Sequence, residues 1–306
     1  MQLDNTRIAI RERNLLETLD LSFRVLREFW KPWLICSLLA MVPLAILNAA
    51  LLNWMAVEVD FADFDGNIFD DWQDFPFRYF RTMAFFIYFE APLASVFVVA
   101  YLGPAIFMEN PRVKAVVWDA LKQFPAILLC QLLMRGILPL WLLALTFDRF
   151  EPNYWVEFAL MFLLMFPYVT FMRAFRPYIN EIIVLEKNPL HSKNPQVITI
   201  GKRSSHLHGP YSGDLFVRWL GTVLATLVLL WMVGMSTYAL QMVLFASPVL
   251  NWALVYIWYP AVLWMVVSLI SVVRFLDYLD LRIRHEGWEV ELLMKAEALR
   301  LKPTLM

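Results

Sequence analysis

Apolar residues along this chain gather into six long blocks, at about 33–56, 79–107, 124–147, 154–175, 216–246 and 250–273, with polar stretches between them. A helix needs roughly 20 residues to cross a hydrocarbon layer of about 30 Å, and each block is long enough. None of the blocks shows the apolar and polar alternation of barrel strands, and a lipid-exposed backbone must satisfy its own hydrogen bonds. The pattern therefore predicts an all-α fold: a polytopic membrane protein with six transmembrane helices and cytoplasmic amphipathic helices. Pro43, Pro139 and Pro167 fall inside spans, each removes a backbone donor, and each predicts a kink.

The flanks have a different period. Residues 1–32 form an amphipathic helix leading into the membrane domain of 33–273, and residues 274–306 form an amphipathic tail. The tail opens RFLDYLDLRIRHEGWEVELL, from Arg274 to Leu293. On a helix Leu276, Leu279 and Ile283 share one face, while Asp280 and Arg284 pair across one turn on the other. Beyond Gly287, the residues Trp288, Leu292 and Ala296 continue the apolar stripe. Such a segment is built to dock, against its own bundle or against a protein partner. Leu276, Leu279, Ile283, Arg284 and Trp288 are the docking residues this reading selects. Its mixed charge argues against simple adhesion to anionic lipid, which favours a mainly basic polar face.

Composition supports the bilayer as solvent: 60% of residues are apolar and 17% charged, against about 45–50% and 25% in soluble domains. A net charge of −1 gives no reason to expect a nucleic-acid partner. The placement of cations is more telling. Lys and Arg number six before the first block, three between the second and third, seven over 173–218 and six after the last, so 22 of 26 lie on one side. The positive-inside rule then puts both termini in the cytoplasm. The opening residues mix acids with arginines and lack a short apolar core with a cleavage site, so the first membrane helix is expected to direct targeting.

Candidate chemistry is sparse. Cys36 and Cys130 sit within apolar blocks and read as small buried hydrophobes. The first outer connection carries seven acids between Glu58 and Asp74, but aligning Gly66 with the EF-hand glycine leaves Phe61 and Trp72 where carboxylates are required. His191, His206, His208 and His285 fall in cytoplasmic segments, where a solvated basic loop accounts for the H-x-H pair better than a metal does. No hydrolase, zinc-protease or phosphate-loop motif occurs. The chain is therefore not expected to be an enzyme or to carry a cofactor or metal.

Glu90 and Arg135 lie at similar depth in antiparallel spans, and burying either charge alone is costly. They are expected to form an intramembrane polar pair that locks two helices, or else to line a substrate or proton site. Glu157 is near enough to the outer surface to snorkel. Arg173 and Arg176 close the fourth span, as helix anchors or as contacts to anionic phospholipid headgroups.

Several stretches resemble a bacterial six-span integral-membrane family that includes the membrane domain of some glycerophosphodiester phosphodiesterases. They are LDLSFRVLREFWKPW before the first span, GPAIFMENPRVKAVVWDALKQF after the second, RPYINEIIVLEKNP leading to GKRSSHLHG, and the tail YLDLRIRHEGWEVELLMKAEAL. The tail is similar to the YxDLRIRxEGxxxE ending of stand-alone members. The resemblance implies a location in the bacterial cytoplasmic membrane and no chemistry of the chain's own, since in fused members catalysis belongs to a separate soluble domain. The function expected is that of a non-catalytic scaffold or regulatory subunit, embedded in the lipid bilayer and docking a protein partner on its cytoplasmic face. The alternative is a transporter or lipid-handling protein with a site between spans near Glu90 and Arg135.

Overall fold

The computed structural model describes residues 13–57, 77–107, 111–146, 154–194, 196–245 and 252–286, and among them every regular element is helical. In chain order these are α1 (Leu15–Glu28), α2 (Trp30–Val57), α3 (Phe77–Ala94), α4 (Val96–Phe107), α5 (Val113–Leu128), α6 (Ile137–Thr146), α7 (Tyr154–Leu160), α8 (Phe166–Phe175), α9 (Ile179–Glu181), α10 (Ile200–His208), α11 (Ser212–Phe245) and α12 (Tyr259–Glu286). Wider π-helical turns occupy Leu129–Met134, Met161–Met165, Ile182–Glu186 and Leu254–Trp258. The acidic outer connection over 58–76 and the tail beyond 286, Trp288 included, lie outside the described residues.

Five helical stretches are long and apolar enough to cross a membrane: Trp30–Met55, Phe77–Ile106, Trp155–Phe175, Ser212–Val243 and Leu254–Arg284. Among the described residues the third sequence block does not yield a sixth. Its helix widens at Leu129–Met134, stops in a turn at Arg135 and Gly136, and resumes as the 10-residue α6. Polar side chains cause the break. Gln131 and Arg135 turn toward partners on the last turn of α8 and on the segment after it, and the turn falls at Arg135 and Gly136.

The second span is the centre of the bundle, with α3 and α4 packed against α2, α5 and α12. Leu52, Val96, Val99, Ala105, Ile127, Val272 and Phe275 are fully enclosed in its core. Within lipid, apolar surface gains little by leaving apolar solvent, so close packing and interhelical hydrogen bonds must hold such helices together. Ser37 and Ser268 bring their hydroxyls to 2.5 Å between α2 and α12. Tyr259 donates to the Phe80 carbonyl at 2.8 Å, and Tyr79 to that of Val255 at 3.3 Å.

Proline breaks this bundle where a replacement donor is at hand. Pro92 lies near the end of α3, Ser95 forms a turn, and α4 begins at Val96. The Pro92 carbonyl accepts from Ser95 Oγ at 2.9 Å and from Asn180 Nδ2 at 2.5 Å. Pro43, by contrast, sits within a continuous α2, Pro139 within α6, and Pro167 at the start of α8 just after a π-helical turn. The interruption at Pro92 and Ser95 has a side-chain partner waiting, which an isolated reading of span interiors does not supply.

α1 is amphipathic as its sequence predicts. Thr18, Ser22 and Val25 are buried on one face, and Phe29 continues that stripe in the bend before α2. It packs chiefly on α12 and touches α11, where a Cβ on Gly221 would come within 2.3 Å of Leu15 Cδ2. Gly221→Val should therefore push α1 outward and cost about 1–3 kcal/mol by overpacking. Gly234→Ala, whose added Cβ meets nothing within 4 Å, should leave the unfolding midpoint in detergent unchanged. Equal midpoints for the two variants would show that α1 is not seated on α11.

Candidate functional site: a polar junction at one end of the bundle

The end of the bundle that carries α1, α10 and the close of α12 contains a buried network of ionised and hydrogen-bonding side chains. Its origin is the helix α12, which runs unbroken from Tyr259 through Arg274 to Glu286. The tail read from sequence as a separate adaptor is thus, over 274–286, a continuation of the last span. Leu276 and Ile283 are 4% and 6% exposed, Leu279 is packed against the core, and Leu281 is buried. Over Leu276, Leu279 and Ile283 the docking stripe packs within the molecule. Arg284 is also engaged, donating to Asp280 at 3.0 Å and to the Arg13 carbonyl at 2.5 Å.

Arg218, on the first turns of α11, is the hinge of this network. Its guanidinium bonds Asp277, bonds Asp280 at 2.9 Å, and lies 3.3 Å from Asp214. Asp277 also accepts from the Tyr178 hydroxyl, and Asp280 from the Arg13 backbone N–H at 2.7 Å. Both α12 aspartates are buried, at 5% and 1% exposed. In one place the N-terminal strand of chain, the start of α11, the end of α12 and the segment after α8 are tied together. Breaking such a buried ion group by removing one partner costs more than the group gains over apolar packing.

A second node centres on Glu186. Arg203 grips its carboxylate through two bonds of 2.5 and 2.8 Å, the Tyr278 hydroxyl donates at 2.7 Å, and Arg282 stands 3.7 Å away. Burial works to raise the Glu186 carboxyl, but these donors and charges outweigh it and hold the group below its ordinary value. Arg274 donates to the Pro177 carbonyl at 2.5 Å and approaches Glu181 at 3.5 Å. Every polar residue of the motif RFLDYLDLRIR therefore has an internal use.

The segment RPYINE, residues 176–181, is the seat of the junction. Asn180 is fully buried, donates to Pro92 and to Ser95 Oγ at 3.2 Å, and accepts from Gln131 at 2.7 Å. His208, 2% exposed, stacks on the Tyr178 ring at 5.8 Å between centroids. Its Nδ1 donates to the Ser204 carbonyl at 2.7 Å and its Nε2 accepts from the Tyr178 backbone N–H at 3.3 Å, which fixes the neutral tautomer. Burial pushes the imidazole down to about 4, with the charges of Arg135 and Arg176 adding to it against the Ser204 bond. This corrects the solvated-loop reading, because His208 is a structural group within α10. His206 remains on the exposed face of that helix.

The intramembrane candidates separate. Glu90 accepts from Asn48 Nδ2 at 2.8 Å, joining α3 to α2. Arg135 donates to the carbonyls of Met172 and Arg176, each at 2.9 Å, and lies 3.4 Å from Gln131. No ion pair links Glu90 to Arg135 among the described residues. The expectation failed because equal depth does not specify which faces meet, and the free carbonyls at the end of α8 attract the guanidinium. Arg173 turns inward, donating to the Phe89 carbonyl at 3.0 Å over the Tyr88 ring, so its guanidinium is not presented to headgroups. Arg176 alone of that pair has an exposed side chain. Glu157 does not snorkel. It is 8% exposed and bonded by Arg78 at 2.7 Å and Arg81 at 3.0 Å.

Chemically, the junction is acid and base locked against each other, with hydroxyls bridging them. Among the described residues no three metal-ligating side chains converge, and Cys36 and Cys130 are both buried free thiols. Comparisons with protein-family models, curated proteins and solved structures find no match. The resemblance drawn from the tail and the Asn-Pro segments thus stands on those residues.

Two measurements probe the junction. Arg218→Met leaves the buried Asp277 with only the Tyr178 hydroxyl and takes one of two guanidiniums from the buried Asp280, and should cost about 3–5 kcal/mol of stability. A loss no larger than that of Arg24→Ala, which opens an exposed one-turn pair to Asp20, would show that Arg218 does not hold this end together. For His208 the folded value lies below the ordinary 6.5, so the neutral form stabilises the fold. That contribution is complete above pH 6.5 and falls away as the pH drops toward about 4, to a limit of about 3 kcal/mol. Thermal unfolding in detergent should weaken between pH 7 and 5, and His208→Gln should flatten that slope. A slope identical in both proteins would exclude His208 as its source.

Proposed function

We propose that the chain is a non-catalytic membrane subunit that holds a protein partner at its polar end, and that this end faces the cytoplasm, a reading the lopsided cation count supports. One observation carries the reading: a crevice of about 390 Å³ between α4, α5, the Ile182–Glu186 turn and α12. Gly103, Pro104, Val116 and Phe275 give it an apolar floor, and Asp119, Lys187 and Arg282 give it a charged rim. Its floor and walls belong to helices that the junction fixes, which favours preorganised recognition.

Lys187 supports the same reading. Its φ of 53° is in the left-handed region, where a side chain costs of order 1 kcal/mol or more, and this conformation lets it reach across to Asp119. Both groups of that pair are about half exposed, so the pair is cheap to open. Asp119 stands where a partner's carboxylate would sit. The crevice suits a protein segment with an apolar side chain followed by an acid.

The test is affinity purification of the full chain from its native membrane with mass spectrometry, in parallel with Lys187→Glu and Val116→Trp. A protein held by the wild type and lost at least about tenfold from both variants, each with an unchanged unfolding midpoint, is the expected result. An identical set of companions in all three preparations would overturn the proposal.

A further inference from the structure

The crevice between α4, α5, the Ile182–Glu186 turn and α12 lies beside the last turns of the final helix. Tyr278, Leu279 and Arg282 line it from α12, which is described as far as Glu286. Arg282 is four residues before Glu286, a rise of about 6 Å along a helix. The sequence then continues with Gly287, Trp288, Glu289, Val290 and Glu291. Five extended residues cover about 16 Å, so the segment is long enough to return to the crevice once the chain reverses. Glycine is the residue that most readily permits a reversal after a helix, and Gly287 holds the first position.

The chemistry of the segment matches that of the crevice. In an extended stretch successive side chains point to opposite faces, which puts Trp288 and Val290 on one side and Glu289 and Glu291 on the other. The crevice has the complementary division. Its floor is apolar at Pro104, Val116 and Phe275. At its rim Lys187 bonds Asp119, and Lys122 approaches the same carboxylate at 3.5 Å, so two cations share one acid. These side chains are 46–64% exposed, and an incoming carboxylate can take Lys187 while Lys122 keeps Asp119. Tethering adds a further advantage, since a short linker gives an effective concentration in the millimolar range.

We infer that residues 287–291 cover the crevice in the resting chain, with Trp288 on the apolar floor and an acid of the segment on Lys187, and that a partner must displace them. This inference rests on the reading of the crevice as the docking site and adds its regulation. An exposed ion pair contributes little, so the strap is displaced at modest cost. It sets a threshold for docking and leaves the site usable.

The full chain with benzoylphenylalanine in place of Trp288, irradiated in nanodiscs, digested with trypsin and read by mass spectrometry, reports where the segment lies. The adduct should fall on the tryptic peptide 115–122 of the same chain, which carries Val116 and Asp119. Val116→Trp, which fills the floor, should abolish that adduct, and Lys187→Glu should reduce it about threefold. Arg24→Ala, on the exposed face of α1, should leave it unchanged. Ending the chain after Glu286 should raise recovery of the docked companion about tenfold at an unchanged unfolding midpoint. Adducts confined to other peptides, adducts joining two chains, or an undiminished adduct in Val116→Trp would each overturn the inference. Equal or lower recovery of the companion after truncation would do the same. The lack of any companion in every preparation would instead overturn the docking reading, and the adduct would still decide where the segment lies.

Discussion

A guanidinium caught between two carboxylates of one helix governs how this bundle ends. Arg218 cannot shed its charge, and Asp277 and Asp280 lie too deep for water to solvate them, so the three must meet. That requirement fixes the rotation of α12 against α11. The rotation in turn aims Tyr278 at Glu186 and Arg274 at the Pro177 carbonyl. The apolar faces of Leu276 and Ile283 then have no choice but the core.

Much of the architecture was legible because span length is a strong signal. Five of six apolar blocks are helices of spanning length, and the amphipathic start became α1. The third block is interrupted among the described residues for a reason visible only in three dimensions. Its arginine had a better use capping the end of α8 than crossing hydrocarbon, and the backbone yielded at Gly136. Polar pairings were poorly legible throughout. Glu90 chose Asn48, an uncharged side chain that no search for opposite charges would select, and Glu157 drew two arginines from another span. A partial signal for the junction did exist: RFLDYLDLRIR carries five acidic or basic residues directly after an apolar span, on the faces left by the stripe of Leu276, Leu279 and Ile283.

Polar groups in this protein fall into two kinds of setting. At the junction, carboxylates and guanidiniums are matched, the hydroxyls of Tyr178 and Tyr278 donate to Asp277 and Glu186, and the His208 imidazole holds the Tyr178 backbone. Such a region resists change. At the Lys187 crevice, by contrast, charge borders an apolar floor. Recognition belongs where chemistry is incomplete, and rigid matched networks belong behind it.

One feature of the lipid-facing side has a mechanical outcome. α11 has 34 residues and is about 51 Å long at 1.5 Å per residue, well beyond a hydrocarbon thickness of about 30 Å. Its flank bears Trp231 at 69% and Val243 at 81% exposure, so few neighbours brace its middle. A rod of that excess length meets hydrophobic mismatch, which tilting, bending or a locally thicker bilayer relieves. Its packing at the Arg218 end fixes where any such adjustment must pivot.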